Sequence, residues 1–372
     1  MAVLNQNLPE EIELDIFSRL PVKSLLQFRC ISKPCQSLIS DPYFFKFHLN
    51  RSLFSKNCRK VFLSSFPPQS IDYESLLDNN KNALLELDCP LWSRKSNVSI
   101  IGSCNGLICY VVDKFKVIIY NPSTRVSKEL PKPPITPPLS GRICYYYGFG
   151  FDSSDNDYKV VLGMDIVADT SKSIIFHMFC LRHNYWRRIQ DLSWRRIHER
   201  RRYNYLGIFL NGALHWLMIP KGIGFAQLYR VIVTFDLSKE VFSEMSLDNI
   251  QGQTDSEFYG LGAFEEYLYA LSFSFSANGT SVEVWLMEEY GVKASWAKFF
   301  TIPCIVSNTC LKPLCLLRNG ELLVTIDHYY NDQIKLGSYN TKLKGFTRIC
   351  SFPSSSQTVL YAESVVNPTA LM

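Results

Sequence analysis

Two hydrophobic rhythms divide this chain. Within residues 8–45, large apolar side chains recur at helical spacing: Ile12, Ile16 and Leu20 stand every four positions, with Phe17 beside them. Pro9 suits a first helical turn, where its missing N–H is not needed, and Glu10 and Glu11 sit at the positive helix end. Pro21 stops that helix. A second short helix from Val22 carries Leu25, Leu26, Phe28 and Cys30, and a third from about Lys33 carries Leu38 and Ile39 before an Asp41-Pro42 break. Three helices in about forty residues make a very small core. The apolar positions outnumber what such a core can bury, which predicts an exposed patch that meets a partner.

From about residue 58 onward the rhythm changes to short Val/Ile/Tyr/Phe-rich runs punctuated by turn signals. A unit recurs. It opens on a turn and a strand, as in Asn105-Gly106-Leu107-Ile108, Asn211-Gly212-Ala213-Leu214, Glu265-Glu266-Tyr267-Leu268 and Asn319-Gly320-Glu321-Leu322. A following strand ends on an aromatic landmark, and a closing strand such as Val241-Phe242 or Phe346-Thr347-Arg348-Ile349 completes it. The landmarks Tyr120, Phe179, Phe235, Trp285 and Tyr339 are 59, 56, 50 and 54 residues apart. A period near fifty with three or four strands per unit predicts the blades of a propeller. Residues 60–66 and 84–87 supply part of a sixth blade, and residues 358–366 (TVLYAESVV) are expected to complete it and latch the ring. A stacked but open sheet array is the alternative.

Composition narrows the function. The chain is 47% hydrophobic and 20% charged, which are globular values, and its 14% aromatic content favours strands. No basic start followed by an apolar stretch is visible, and the strongest apolar run, residues 106–112, is far shorter than a membrane span. A soluble protein of the cytoplasm and/or nucleus is expected. The twelve cysteines include no C-x-x-C pair and no nearby histidine pair, so reduced core thiols are expected and no metal site. No G-x-S-x-G, H-E-x-x-H or P-loop motif occurs, so no catalytic residues and no cofactor are expected. His215, inside a strand, reads as a packed, hydrogen-bonded residue. The Asp152, Asp155, Asp157 cluster lacks the remaining ligands of a calcium loop and reads as a turn.

One segment stands apart electrostatically. Residues 182–202 hold eight arginines against Asp191 and Glu199, a local balance of +6, while the whole chain carries +5. Arginine forks onto carboxylate or phosphate and stacks on aromatics, here Tyr185, Trp186, Trp194, Tyr203 and Tyr205. A solvated inter-blade loop, a target-facing surface for an acidic or phosphorylated partner, and an anion or nucleic-acid site all fit that composition. Arg187, Arg188, Arg195, Arg196, Arg200, Arg201 and Arg202 are the candidate target-binding residues.

Leu8-Pro9-Glu10, the aliphatic stripe, Arg19-Leu20-Pro21-Val22-Lys23-Ser24-Leu25, Phe28-Arg29-Cys30 and Ser32-Lys33 occur in an order that resembles an F-box, closest to the plant variant. The resemblance implies docking to the Skp-family adaptor of cullin-based ubiquitin ligases, with Leu8, Pro9, Ile12, Ile16, Leu20, Pro21 and Leu25 facing the adaptor. One departure is that Ser32-Lys33 is followed by Pro34 and Cys35, where the family usually places Trp. The remainder resembles the kelch-like F-box-associated domain through Gly102-Ser103-Cys104-Asn105-Gly106-Leu107, Asn121-Pro122-Ser123-Thr124, Asp157-Tyr158-Lys159-Val160-Val161 and Gly212-Ala213-Leu214-His215-Trp216. The expectation is a small all-α F-box of three helices in residues 1–49, then an all-β, six-bladed propeller-like domain in residues 50–372 closed by terminal strands. By the resemblance the protein is a non-catalytic substrate receptor. Its partners are the adaptor, through it a cullin, and an unknown target, with neither membrane nor nucleic acid expected. A propeller acting as a binding or regulatory protein outside a ligase is the other reading.

Overall fold

A computed structural model of the chain describes residues 9–54, 59–77, 83–135, 143–166, 173–192, 194–195, 205–220, 230–247, 250, 258–276, 279–304, 309–328, 331–352 and 357–370. Four helices come first: α1 (Glu10–Ser18), α2 (Val22–Phe28), α3 (Lys33–Ser40) and α4 (Pro42–Phe54). Pro9 and Pro21 each precede a helix start, and Glu10, Glu11 and Glu13 occupy the first turn of α1. Ser32 caps α3, its Oγ accepting from the Cys35 N–H at 3.3 Å. The expectation of three helices is corrected here. Pro42 starts a fourth helix and does not simply end the third, because its fixed φ suits a first turn and Asp41 Oδ1 accepts from the Tyr43 N–H at 2.7 Å.

α4 supplies what the short α1 and α2 lack. Its His48 lies buried with Nε2 3.0 Å from the Leu20 carbonyl, an acceptor left over at the end of α1. Because a carbonyl can only accept, Nε2 carries the proton, and Nδ1 faces the Ser52 hydroxyl at 3.4 Å. Arg51 reaches back to Asp15 on α1 at 3.0 Å, and this guanidinium with that of Arg19 holds the Asp15 carboxyl below its ordinary range. The helical core gathers Val22, Leu25, Ile39 and Phe44 around one residue from the far end of the chain, Val365. Cys35 is only half-buried and takes no part in that core.

The strands form six sheets, one per blade, as the repeat predicts. Blades two, five and six have four antiparallel strands each; blade two, for example, comprises Val98–Cys104, Leu107–Val112, Lys116–Tyr120 and Ser127–Glu129. All five aromatic landmarks fall on the third strand of their blades and are buried. The innermost strands, such as Ile208–Leu210 and Phe258–Phe264, precede the turn signals and escaped the repeat as read. The turns behave as their residues dictate. Asn105 and Gly106 both have positive φ (52° and 80°), as do Asn211 and Gly212 (49° and 74°), the conformation of a tight hairpin turn.

The ring closes with the C-terminal strand Thr358–Ala362, which pairs antiparallel with Arg59–Leu63 from Arg59↔Ala362 to Leu63↔Thr358. It is the innermost strand of blade one, whose other strands are Arg59–Leu63, Gln69–Ile71 and Leu84–Glu86. Ser70 and Tyr361 share a hydrogen bond at 2.6 Å, and Lys60 Nζ meets Glu363 Oε1 at 2.7 Å. Beyond the strand, Asn121 Nδ2 donates to the carbonyls of Ser364 (3.0 Å) and Val366 (2.7 Å). The fit is close: a Cβ on Gly106 would stand 2.2 Å from Ser364 Oγ and 2.7 Å from the Ala362 carbonyl, so no larger residue fits. Among the described residues no helix is long and apolar enough to cross a membrane, and every cysteine described is a free thiol.

Blades four and five are pinned by His215. Its Nδ1 lies 2.9 Å from the Ile208 carbonyl and its Nε2 2.7 Å from the Tyr290 hydroxyl. Nδ1 therefore donates, and Nε2 is free to accept from Tyr290 only while the ring is neutral. Burial pushes the imidazole down to about 4. This is the packed role expected of His215.

Two outcomes are expected. Deleting residues 358–372 removes the inner strand of blade one and Val365 together, exposing a sheet edge. The region after residue 58 should then become protease-sensitive as a whole; a single thermal transition at the wild-type Tm in the truncated chain would contradict ring closure by this strand. For His215, the unfolded chain binds more protons than the folded one between pH about 6.5 and about 4, so stability rises with pH and is lost on acidification across that window. The contribution is roughly 3 kcal/mol over the window. Urea titrations at pH 7 and pH 4.5 should show a smaller pH effect in His215→Gln than in wild type.

Candidate functional site

Three features compete as functional surfaces: the outer face of α1, the arginine segment, and the centre of the ring. On α1, Ile12 and Ile16 lie one turn apart with 47% and 45% of their surfaces open. The opposite side of the same helix places Leu14 and Phe17 against the helical core. α1 thus presents apolar surface on two sides, only one of which the chain covers. Pro9 and Pro21 are also exposed, while Leu20 is half-buried against the core. Leu25 departs from its expected role: it is fully buried, because Val22 and Leu25 form the inward side of a helix only seven residues long. It supports the surface from inside and cannot offer one. Leu8 lies outside the described residues. Exposed Ile31 and Tyr43 on neighbouring segments are apolar positions that sequence periodicity did not single out.

The arginine segment is divided by the fold. Arg187 is paired with Glu240, which lies in the turn between two strands of blade four. Glu240 also meets Lys159 Nζ at 3.2 Å, and that buried ammonium bonds Asp152 Oδ2 (2.8 Å) and the Leu237 carbonyl (2.7 Å). Burial alone would lower the Lys159 ammonium, but bonds to Asp152 and Glu240 outweigh it and hold it above its ordinary value. The cation among these aspartates is therefore the chain's own lysine, in keeping with the turn expected there. Arg188 pairs with Asp191 on the surface, and Arg182 reaches the Asp155 carbonyl at 3.1 Å. Arg195 stands in a two-residue strand, Trp194–Arg195, whose partners are Ile219 and Pro220 at the end of a blade-four strand. Arg196, Arg200, Arg201 and Arg202 lie outside the described residues.

A group with metal-ligand chemistry emerges from the fold alone. Asp157, Cys180 and His183 place ligand atoms within 4.8 Å of one another, at a spacing no sequence motif marks. Asp157 Oδ1 already accepts from the Arg182 N–H at 2.9 Å. Lys159 and Arg187 place positive charge beside the Cys180 thiol, which disfavours a further cation.

On the ring axis, the innermost strands of all six blades enclose a cavity of about 390 Å³. Its wall is chiefly aliphatic, with Ile100, Leu261, Leu311 and Leu360 among the lining residues, and it contains one lysine, Lys312.

Comparison with known proteins agrees with this division of the chain. A family model described as F-box domain matches residues 6–47, and one described as F-box associated beta propeller domain matches residues 51–352. The F-box protein CPR1 of Arabidopsis thaliana is 29% identical over 382 residues, covering 96% of this chain and 88% of that protein. The F-box/kelch-repeat protein At3g23880 of the same plant is 28% identical over 311 residues, covering 80% of each chain. F-box proteins are in general non-catalytic adaptors that carry targets to Skp-based ubiquitin ligases. With a helical module bearing an uncovered aliphatic face, a closed six-bladed ring behind it and family matches over both, this chain belongs to the F-box proteins that carry an F-box associated beta propeller domain.

Proposed function

We propose that this protein is the target-recognition subunit of a Skp–cullin–F-box ubiquitin ligase of the cytoplasm and/or nucleus, and catalyses no step itself. The observation that carries the reading is the pair Ile12 and Ile16, open on a helix whose other side is already packed. Pro9, Pro21 and the exposed edge of Leu20 extend the same docking surface. The contribution to ubiquitination is proximity: tethering a target beside the conjugating machinery raises its effective concentration without new chemistry. The propeller holds the target. Arginine-rich chain at blades three and four supports an acidic or phosphorylated one, since Arg forks suit carboxylate and phosphate. Arg187 and Arg188, already paired, shape that region, and Arg195, Arg196, Arg200, Arg201 and Arg202 make the contacts.

The combined change Ile12→Asp and Ile16→Asp should abolish capture of the adaptor. Each aliphatic side chain buried in an interface contributes roughly 1.5–3 kcal/mol, and a carboxylate left there adds a desolvation cost. Since both positions are open in the free protein, Tm should stay within a few degrees of wild type; undiminished adaptor capture would overturn the assignment. For the target surface, Arg200→Ala, Arg201→Ala and Arg202→Ala together should slow target ubiquitination, more at low salt than at high salt. Adaptor capture should be unaffected. A wild-type rate at low ionic strength would remove the charged surface from the reading.

A further inference from the structure

The axial cavity contains a charge that no described side chain pairs with. The polar side chains along its wall are otherwise engaged. Ser103 Oγ donates to the Leu360 carbonyl. Gln357 Oε1 accepts from the Ile100 N–H at 2.6 Å, and Thr325 and Thr358 share a hydrogen bond at 3.0 Å. The Tyr259 hydroxyl donates to the Leu311 carbonyl at 3.0 Å, and Asp327 has an interaction of its own. Lys312 is the exception: it has no hydrogen-bond or ion-pair partner among the described residues. It stands directly opposite Thr325 in the strand pairing of blade six, so the two side chains share a face. It is deep inside the ring yet keeps part of its surface open to the cavity. Burial pushes its ammonium below the ordinary lysine value, and the carboxylate on the same wall, Asp327, is engaged elsewhere. A desolvated ammonium with no carboxylate bonded to it is costly, and an anion entering the cavity would relieve that cost.

We infer that the axial cavity is a binding site for a small organic carboxylate, its carboxylate received by Lys312 and its apolar body by the aliphatic wall. The volume, about 390 Å³, lies in the range of small-molecule sites, roughly 300–1,000 Å³. Charge selects the anion class. The wall offers one ammonium, and Asp327 on the neighbouring strand repels further negative charge, so a monoanion fits where a phosphate dianion does not. The apolar part of the ligand meets Ile100, Leu261, Leu271 and Leu360. The site uses neither the α1 surface nor the arginine segment, so it stands or falls independently of adaptor docking.

Isothermal titration with naphthalene-2-carboxylate and with 2-naphthalenemethanol, which share the ring and differ in charge, tests the assignment on the full chain. Wild type should bind the acid roughly tenfold more tightly than the alcohol, the worth of one charge-assisted hydrogen bond. Lys312→Met removes the charge at similar volume and should bind the two equally, with its affinity for the alcohol kept. Gly260 lines the same cavity, and a Cβ there would meet only Leu271 Cδ1 at 3.6 Å, so a side chain has room to start there and Gly260→Leu should exclude both compounds. An unchanged circular-dichroism spectrum and an unchanged Tm establish that each variant is folded. The inference is overturned if wild type binds neither compound at millimolar concentration or binds both equally. It is equally overturned if Lys312→Met keeps the preference, or if Gly260→Leu binds like wild type.

Discussion

The pairing of Thr358–Ala362 with Arg59–Leu63 is the contact on which both parts of the molecule depend. Blades cannot bury both faces unless each has a neighbour, so a ring with one strand missing exposes a seam. The same segment runs on to place Val365 among Val22, Leu25, Ile39 and Phe44. Magnitudes decide which of its contacts matter. The half-exposed Lys60–Glu363 pair contributes about 0–1 kcal/mol, whereas fully burying one aliphatic side chain contributes roughly 1.5–3 kcal/mol. For a helical module with so small a core, the second is a large share of its stability.

Part of the arginine-rich segment is committed to the fold. Arg187 is bound into the Lys159–Asp152–Glu240 network, in which a buried ammonium ties one blade to the next. Breaking such a buried pair typically costs about 3–5 kcal/mol, because the remaining charge stays desolvated. Arg188, paired on the surface with Asp191, is worth far less to the fold. Charge counted along a sequence therefore overstates the charge a partner meets.

Much of the ring was legible because its turns need particular residues. Asn105-Gly106 and Asn211-Gly212 adopt positive φ, and the aromatics that follow at near-regular spacing are the buried third strands. The closing strand was legible as an apolar run left over after the last full unit. The innermost strands of the other blades were not, since segments such as Phe258–Phe264 (FYGLGAF) are short, glycine-containing and face neighbours on both sides, leaving no alternation to detect. The helical module was legible in its elements but not in its faces. α1 and α2 both carry apolar residues, and only the packed structure tells that Leu25 points in while Ile12 and Ile16 point out. Pro42 misled for a simple reason: proline marks helix starts as well as helix ends. Lys312, and the grouping of Asp157 with Cys180 and His183, arise from strands brought side by side and have no local signature.

The placement of Val365 also has a consequence in time. Synthesis makes α1 to α4 before any blade, yet their core lacks Val365 until the segment beyond the ring-closing strand has been made and the ring has closed. The contact spans nearly the whole chain, the kind that forms slowly. A chain that stops short of Val365 carries its helical module in an unfinished state, and the finished state coincides with a sealed ring. The helical module therefore completes its core only as the ring is sealed, and the two parts of the molecule fold as a coupled whole.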